Sequence, residues 1–150
     1  MRYSNLSITF VLLLFSCDRS YNVETKGLNN LLQDFNTSIS NQNHLYILIP
    51  TFSCLACVQQ ALNNLSDLLV EKDKPKVTII YQKIDINLKP FFKKAFVYPD
   101  VNNSIDKLPF SIANLTFIKT YKEKIYEIQF VNVENVDQII NRNIINEIRE

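Results

Sequence analysis

The sequence predicts an α/β protein with a central mixed sheet of about four strands flanked by helices. Short apolar runs of strand type alternate along the chain with segments whose apolar residues recur at helical spacing. Such alternation is typical of parallel strands joined by helical crossovers. Near the carboxyl end two strand-type runs follow each other across a short turn, which adds an antiparallel hairpin. The predicted order of elements is α-β-α-β-α-β-β-α.

The first half of the chain supplies a helix, a buried strand and a second helix. Helical spacing of apolar residues predicts an amphipathic helix over 25–40. The run Leu45 to Ile49 is apolar throughout, which indicates a strand buried on both faces, and Pro50 ends it. We expect Ser53 to cap the following helix through its hydroxyl group. The buried stripe of that helix consists of Cys57, Val58, Ala61, Leu62, Leu65, Leu68 and Leu69.

The second half completes the sheet. Pro90 fits the first turn of a short helix over 88–97. Prolines and the pair Asn102–Asn103 indicate a loop after this helix. In chain order we expect a strand over 77–86, the helix over 88–97, a loop over 98–109, a strand within 110–121, a turn over 122–124, a strand over 125–130, and a closing helix marked by Val136, Ile139, Ile140, Ile144 and Ile148.

The amino terminus has the pattern of an export signal. Met1 to Asn5 is weakly basic, and an apolar stretch of about ten residues follows, from Leu6 to Phe15. A helix of that length spans roughly 15 Å, against a hydrocarbon core of roughly 30 Å, so a secretory signal fits better than a membrane anchor. The segment Leu14-Phe15-Ser16-Cys17 resembles the cleavage site of a bacterial lipoprotein signal.

That resemblance implies that Cys17 is lipid-modified and becomes the first residue of the mature protein. The lipid would tether the protein to a membrane surface without spanning it. The chain then divides into a signal peptide over 1–16, a polar tether over 17–27 and a domain over 28–150. A secreted protein with a free Cys17 and a buried amino-terminal helix stay open as alternatives. Both the lipoprotein and the secreted protein would be exported to a compartment where disulfides persist.

Composition excludes several classes of function. The formal net charge is +1, so there is no electrostatic case for nucleic-acid binding. Gly27 is the single glycine, which excludes the glycine-rich phosphate loops that need several. A domain of this length can bury its core without disulfide staples, so the remaining cysteines need not form a structural framework.

Those cysteines, Cys54 and Cys57, are the strongest signal of function. A Cys-x-x-Cys between a strand and a helix is typical of a thioredoxin-like redox motif. Residues three apart share one helix face, within reach of a disulfide. At the helix start, unpaired N–H groups and the dipole favour negative charge, which lowers a thiol pKa. We therefore predict that Cys54 is the nucleophile and Cys57 resolves the mixed disulfide.

The element order and Cys54-Leu55-Ala56-Cys57 together resemble the thioredoxin fold over roughly 28–150, and the segment 83–87 resembles the end of the second family strand. The resemblance implies a cis-proline loop facing the cysteines, for which Pro109 is the candidate. Pro109 lies farther ahead of the Lys122 turn than the family spacing, so a non-proline such as Asn114 is the alternative. The strand 45–49 lacks the buried acid of the reducing members of the family.

Three other interpretations of the cysteine pair remain. It could form an inert disulfide at the helix start. Zinc would need two further ligands, and with His44 the single histidine and Cys17 acylated we expect no metal. A peroxiredoxin-like site fits poorly, because Ile47 stands where its proline belongs and the arginines that could serve, Arg142 and Arg149, fall in the last helix.

The sequence thus predicts a lipid-anchored thiol–disulfide oxidoreductase of a bacterial cell envelope, on the periplasmic face. Its partners would be thiols or disulfides of exported proteins, an unidentified redox partner and the membrane through Cys17, with no nucleic acid and no cofactor. The direction of electron flow stays open. The alternative is a non-catalytic lipoprotein that uses the fold as a binding or assembly module. Phe52, Leu55 and Phe110 could form a docking patch, although we favour placing them in the core.

Overall fold

A five-stranded sheet lies at the centre of the residues described by the computed structural model, which are 20–69, 76–82, 85–132 and 134–140. In chain order the elements are α1 (Asn22–Gln33), β1 (His44–Ile49), α2 (Leu55–Leu68), β2 (Val77–Tyr81), a 3₁₀ helix (Lys89–Phe91), β3 (Phe96–Pro99), a second 3₁₀ helix (Ser104–Lys107), β4 (Thr116–Tyr121), β5 (Lys124–Phe130) and α3 (Val136–Ile139). The predicted signal peptide 1–16, Cys17, and Ile144 and Ile148 of the closing helix lie outside the described residues.

The strands lie in the order β3-β2-β1-β4-β5, with β1 at the centre. β1 pairs in parallel with β2, and β2 with β3, whereas β4 runs antiparallel to both β1 and β5. The predicted mixed sheet flanked by helices is therefore confirmed. The predicted count of about four strands is wrong, because β3 is an additional strand. The predicted order changes with it, since a 3₁₀ helix and β3 replace the third α-helix.

The extra strand occupies residues predicted as helix and loop. Only Lys89–Phe91, which includes Pro90, is helical in the predicted helix over 88–97. Phe96–Pro99 carries aromatic and β-branched side chains that suit a strand, and it pairs with the otherwise open edge of β2. Pro99 is tolerated there because an edge strand need not donate every backbone hydrogen bond. Pairing with β2 thus replaces the carboxyl half of the helix that Pro90 indicated.

Both faces of β1 are buried, as its continuous apolar run predicts. Leu45, Ile47 and Ile49 face a cluster that includes Val58, Ala61, Leu62 and Leu65 of α2. Tyr46 and Leu48 face a second cluster that includes Leu28, Leu31 and Leu32 of α1. The alternation follows from the two-residue period of a strand. The sheet therefore has α2 and α3 on one face and α1 on the other.

The first helix is shifted relative to the prediction of 25–40. It begins at Asn22, ahead of the domain boundary predicted at residue 28, and ends at Gln33. Asn36 has a positive φ of 54°, a conformation outside the right-handed helix that Asn adopts more readily than most residues. Ile39 is buried, yet it follows this break in the chain. Apolar spacing alone does not show where the helix ends.

The hairpin of β4 and β5 confirms the turn predicted at 122–124. Lys122 and Glu123 have positive φ values of 49° and 61°. Their backbone N–H groups donate to the carbonyls of Asn41 and Ser40, at 3.2 Å each, which holds the turn. β2 ends at Tyr81, before the predicted residue 86. No helix within the described residues is long and apolar enough to span a membrane.

Candidate redox site

Cys54 and Cys57 form a disulfide at the carboxyl end of β1, with their Cα atoms 5.3 Å apart. Pro50 ends the strand, a tight turn follows, and α2 begins at Leu55. Cys54 is exposed, whereas Cys57 is buried one helical turn deeper. Disulfide exchange requires a sulfur that a partner can reach, and Cys54 is the exposed member of the pair.

The first turn of α2 provides the electrostatic environment of the exposed sulfur. Cys54 is the N-cap residue, and its Sγ accepts a hydrogen bond from the backbone N–H of Cys57 at 3.4 Å. Unpaired N–H groups at a helix start favour negative charge, so this position suits a thiolate. Ser53 does not cap α2 as predicted. Its N–H donates to the Pro50 carbonyl at 3.1 Å, and its buried Oγ has no hydrogen-bond partner among the described residues.

A buried glutamine anchors the turn that carries Cys54. Gln82 follows β2 directly and is 2% exposed. Its Oε1 accepts from the Thr51 N–H at 2.8 Å and from the Thr51 hydroxyl at 3.0 Å. Its Nε2 donates to Asp106 at 3.0 Å. Sequence reasoning missed the contact between these residues, although a polar residue directly after a buried parallel strand is a signal that points to this edge of the sheet.

The apolar residues beside Cys54 are exposed. Phe52 is 90% exposed and Leu55 is 51% exposed, so the preference for a core position is wrong for both. Phe110 is partly buried and packs against the cluster on the α1 face. Identity alone could not separate these positions, because the turn geometry decides which side chain points outward. Two exposed apolar side chains therefore lie within two residues of Cys54 in the chain.

The structure places Pro109 away from α2. Its ring lies so close to Gly27 of α1 that a Cβ at Gly27 would overlap it. Since α1 covers the face of the sheet opposite α2, the role of Pro109 as a substrate loop stays a prediction. β4 begins at Thr116, opposite Leu48, so Asn114 lies at the edge of the sheet that carries the cysteine pair. The peptide bonds of the described residues are trans.

Two further titratable groups, His44 and Lys119, lie at the opposite end of β1. His44 Nε2 lies 2.8 Å from the Thr78 hydroxyl, and burial lowers the pKa of His44 from 6.5 to about 4. Lys119 is 4% exposed and pairs with Glu127 at 2.8 Å. No group of three or more His, Cys, Asp or Glu side chains that could hold a metal occurs within the described ranges. Arg142 and Arg149 lie outside these ranges.

Comparisons of the chain with protein-family models, with curated proteins and with solved structures give no match. The architecture and the site therefore carry the functional argument. A mixed α/β sheet with the Cys54–Cys57 disulfide at the start of a helix is compatible with a thioredoxin-like fold. The same disulfide is compatible with a redox-active motif.

Proposed function

We propose that this protein is a thiol–disulfide oxidoreductase with a thioredoxin-like fold, and that it exchanges disulfides with exported proteins. One observation carries the proposal. An exposed cysteine caps the first turn of α2 and is joined to a buried cysteine one turn deeper. The arrangement separates an attacking sulfur from a resolving sulfur, as two-step exchange requires.

The chemistry needs only the two sulfurs. In the reducing direction, the Cys54 thiolate attacks one sulfur of a substrate disulfide, which forms a Cys54–substrate bond and releases the other substrate sulfur as a thiolate. The Cys57 thiolate then attacks Cys54, which re-forms the Cys54–Cys57 bond and releases the second substrate thiolate. The pair loses two electrons and two protons, and the substrate gains them as two thiols. Oxidation of a substrate is the reverse sequence.

The surroundings of Cys54 support a polypeptide substrate. Phe52, two residues before Cys54, and Leu55, directly after it, both expose apolar surface, and burial of such surface against a partner favours association. A separate redox partner would restore the starting state of the pair. The lipoprotein-like segment that ends at Cys17 supports a protein tethered at the cell envelope, on the periplasmic face.

A binding or assembly module is the second candidate. Two observations favour it: β1 carries no acidic residue near the pair, and the Pro109 ring packs against α1. The disulfide would then only tie the start of α2 to the turn before it. The two candidates differ in whether the pair opens and closes under the redox conditions of the envelope.

Reduction of insulin disulfides by dithiothreitol tests the proposal. The wild-type chain should accelerate the reaction, because Cys54 relays electrons from dithiothreitol to insulin. A variant with Cys54→Ser and Cys57→Ser should leave the uncatalysed rate unchanged. Equal rates with the two proteins would reject the oxidoreductase and favour the binding module.

The proposed anchor has its own test. The full chain, expressed in a bacterial host, should partition with membranes and carry acyl groups on an amino-terminal Cys17, as mass spectrometry would show. The Cys17→Ser variant should lose the acyl mass. An unmodified Cys17 in the wild-type chain would exclude lipid tethering and leave the redox proposal intact.

A further inference from the structure

The side chain of Gln82 connects three separate segments of the chain. The side-chain oxygen accepts hydrogen bonds from both donors of Thr51, and the side-chain nitrogen donates to Asp106 in the second 3₁₀ helix. The backbone N–H of Gln82 donates to the Ile49 carbonyl at 2.9 Å. Burying an amide costs free energy unless its polar atoms are hydrogen-bonded. Each polar atom of the Gln82 side chain has such a partner.

The partners fix the orientation of the amide. The Thr51 backbone N–H can only donate, so the atom facing it must be the Gln82 oxygen. The Asp106 carboxylate can only accept, so the atom facing it must be the nitrogen. A flipped amide would oppose donor to donor and acceptor to acceptor. Gln82 therefore holds Thr51 in one defined position.

We propose that Gln82 is a positioning residue for disulfide exchange, which holds the turn before α2 so that Cys54 stays at the helix N-cap when the disulfide is open. The inference rests on the proposed function. The turn is closed internally by the bond from Ser53 N–H to the Pro50 carbonyl, and Gln82 ties its second residue, Thr51, to the end of β2.

The consequence concerns the reduced state. The disulfide itself restrains Cys54 while it is closed, but that restraint disappears on reduction. None of the Gln82 hydrogen bonds involves a sulfur atom, so they can persist in both oxidation states. The favourable effect of a helix start on a negative charge is confined to the first turn. A displaced Cys54 would therefore lose part of its thiolate population.

The experiment measures the rate of exchange of the reduced chain with glutathione disulfide across pH, in a Cys17→Ser background. Gln82→Leu should move the midpoint of the pH profile upward by about one unit, which lowers the thiolate fraction at neutral pH roughly tenfold. A more basic thiolate is also a better nucleophile, so the rate should fall only about threefold. Thr51→Val should produce a smaller shift in the same direction.

Two matched variants separate positioning from general stability. Asp106→Asn keeps an acceptor for the Gln82 amide and should retain the wild-type profile, whereas Asp106→Ala should shift it as Thr51→Val does. Thr120→Val removes a buried hydroxyl that donates to the His44 carbonyl at 3.4 Å, at the opposite end of β1. It should lower stability and leave the pH profile in place.

The outcomes distinguish this inference from the proposed function. If the wild-type chain exchanges but Gln82→Leu has the wild-type midpoint, the positioning role is wrong and the oxidoreductase stands. If the wild-type chain does not exchange, both fail. If Gln82→Leu does not fold, the Thr51→Val variant tests the inference instead, because Thr51 is exposed and its replacement should not prevent folding. An unshifted pH profile of Thr51→Val would then contradict the role of the Gln82–Thr51 contact.

Discussion

The two ends of β1 differ in whether their reactive and titratable side chains are exposed or buried. At the carboxyl end an exposed cysteine caps a helix, and Phe52 and Leu55 face solvent beside it. At the amino end the His44 ring is hydrogen-bonded to the Thr78 hydroxyl, and the buried Lys119 pairs with the partly exposed Glu127. Both ends contain groups whose chemistry could support a function. The carboxyl end presents an exposed sulfur, whereas at the amino end His44 is partly buried and Lys119 is buried.

The contrast shows that an unusual titratable group does not by itself indicate a reactive site. Burial holds His44 neutral and raises the pKa of Tyr46, whose hydroxyl accepts from the Ser40 N–H at 3.0 Å. The hydrogen bonds of His44 and Tyr46 join the start of β1 to β2 and to the preceding loop. Cys54 combines an accessible sulfur, a helix terminus and a resolving partner, which are the features that exchange requires.

The largest expected effect separates the two cysteines. Cys57→Ser, incubated with glutathione disulfide after reduction, should accumulate a stable mixed disulfide on Cys54, because the resolving sulfur is missing. Cys54→Ser should accumulate little, since the sulfur of Cys57 is buried. Mass spectrometry of both variants in a Cys17→Ser background measures this. Equal labelling of the two variants would contradict the assignment of attacking and resolving roles.

At the opposite end, His44 should make stability depend on pH. Its folded-state pKa of about 4 lies below 6.5, so the unfolded chain binds a proton first as pH falls. The folding stability that depends on a neutral His44 is fully present above pH 6.5 and is lost as pH falls toward 4. At pH 5 the loss should be about 2 kcal/mol.

Urea unfolding of the wild type and of His44→Gln at pH 7 and pH 5 measures that loss. Glutamine keeps a hydrogen-bonding side chain without titrating in this range. The wild type should lose more stability than the variant between the two values. Identical pH dependence would show that His44 is not held neutral by burial.

The ion pair between the buried Lys119 and the partly exposed Glu127 should affect stability and leave the exchange rate unchanged. Glu127→Ala leaves the Lys119 charge without that carboxylate and should cost roughly 1–2 kcal/mol, a value reduced by the 36% exposure of Glu127. Lys119→Met removes the buried charge and should cost less. Urea unfolding at pH 7 compares the two variants. A changed exchange rate in Glu127→Ala or Lys119→Met would contradict the view that the amino end of β1 does not take part in exchange.

The smallest expected effect concerns the apolar surface beside Cys54. Phe52→Ala should change stability by less than about 0.5 kcal/mol, because the side chain is exposed. It should slow insulin reduction roughly fivefold, if about 1 kcal/mol of apolar contact with the substrate is lost, and leave the rate with glutathione disulfide unchanged. Phe92→Ala, at another exposed aromatic, is the matched control. Equal slowing by both variants would remove the case for docking at Phe52.

Local patterns in the sequence predict the centre of this molecule well. The apolar run of β1 needs burial on both faces, and the Cys-x-x-Cys that follows it falls at the start of a helix as its spacing requires. The hairpin turn is equally local. These features depend on residues close together in the chain, so a single sequence is sufficient to predict them.

Features that depend on distant partners could not be predicted in the same way. β3 forms because the edge of β2 is open, and Gly27 matters because the Pro109 ring approaches it. The contact between Gln82 and Thr51 joins two strand ends that are adjacent only in the folded sheet. The exposure of Phe52 likewise follows from the geometry of the turn and not from its residue type.

The reduction potential of the Cys54–Cys57 pair tests the central claim most directly. It would be measured on the Cys17→Ser chain by alkylation of free thiols across poised glutathione and dithiothreitol mixtures. A redox-active pair at a helix start should have a potential between about −120 and −270 mV, and the value within that range would indicate whether it oxidises or reduces its substrates. A pair that stays oxidised below about −300 mV would be a structural bridge, which would contradict the proposed oxidoreductase.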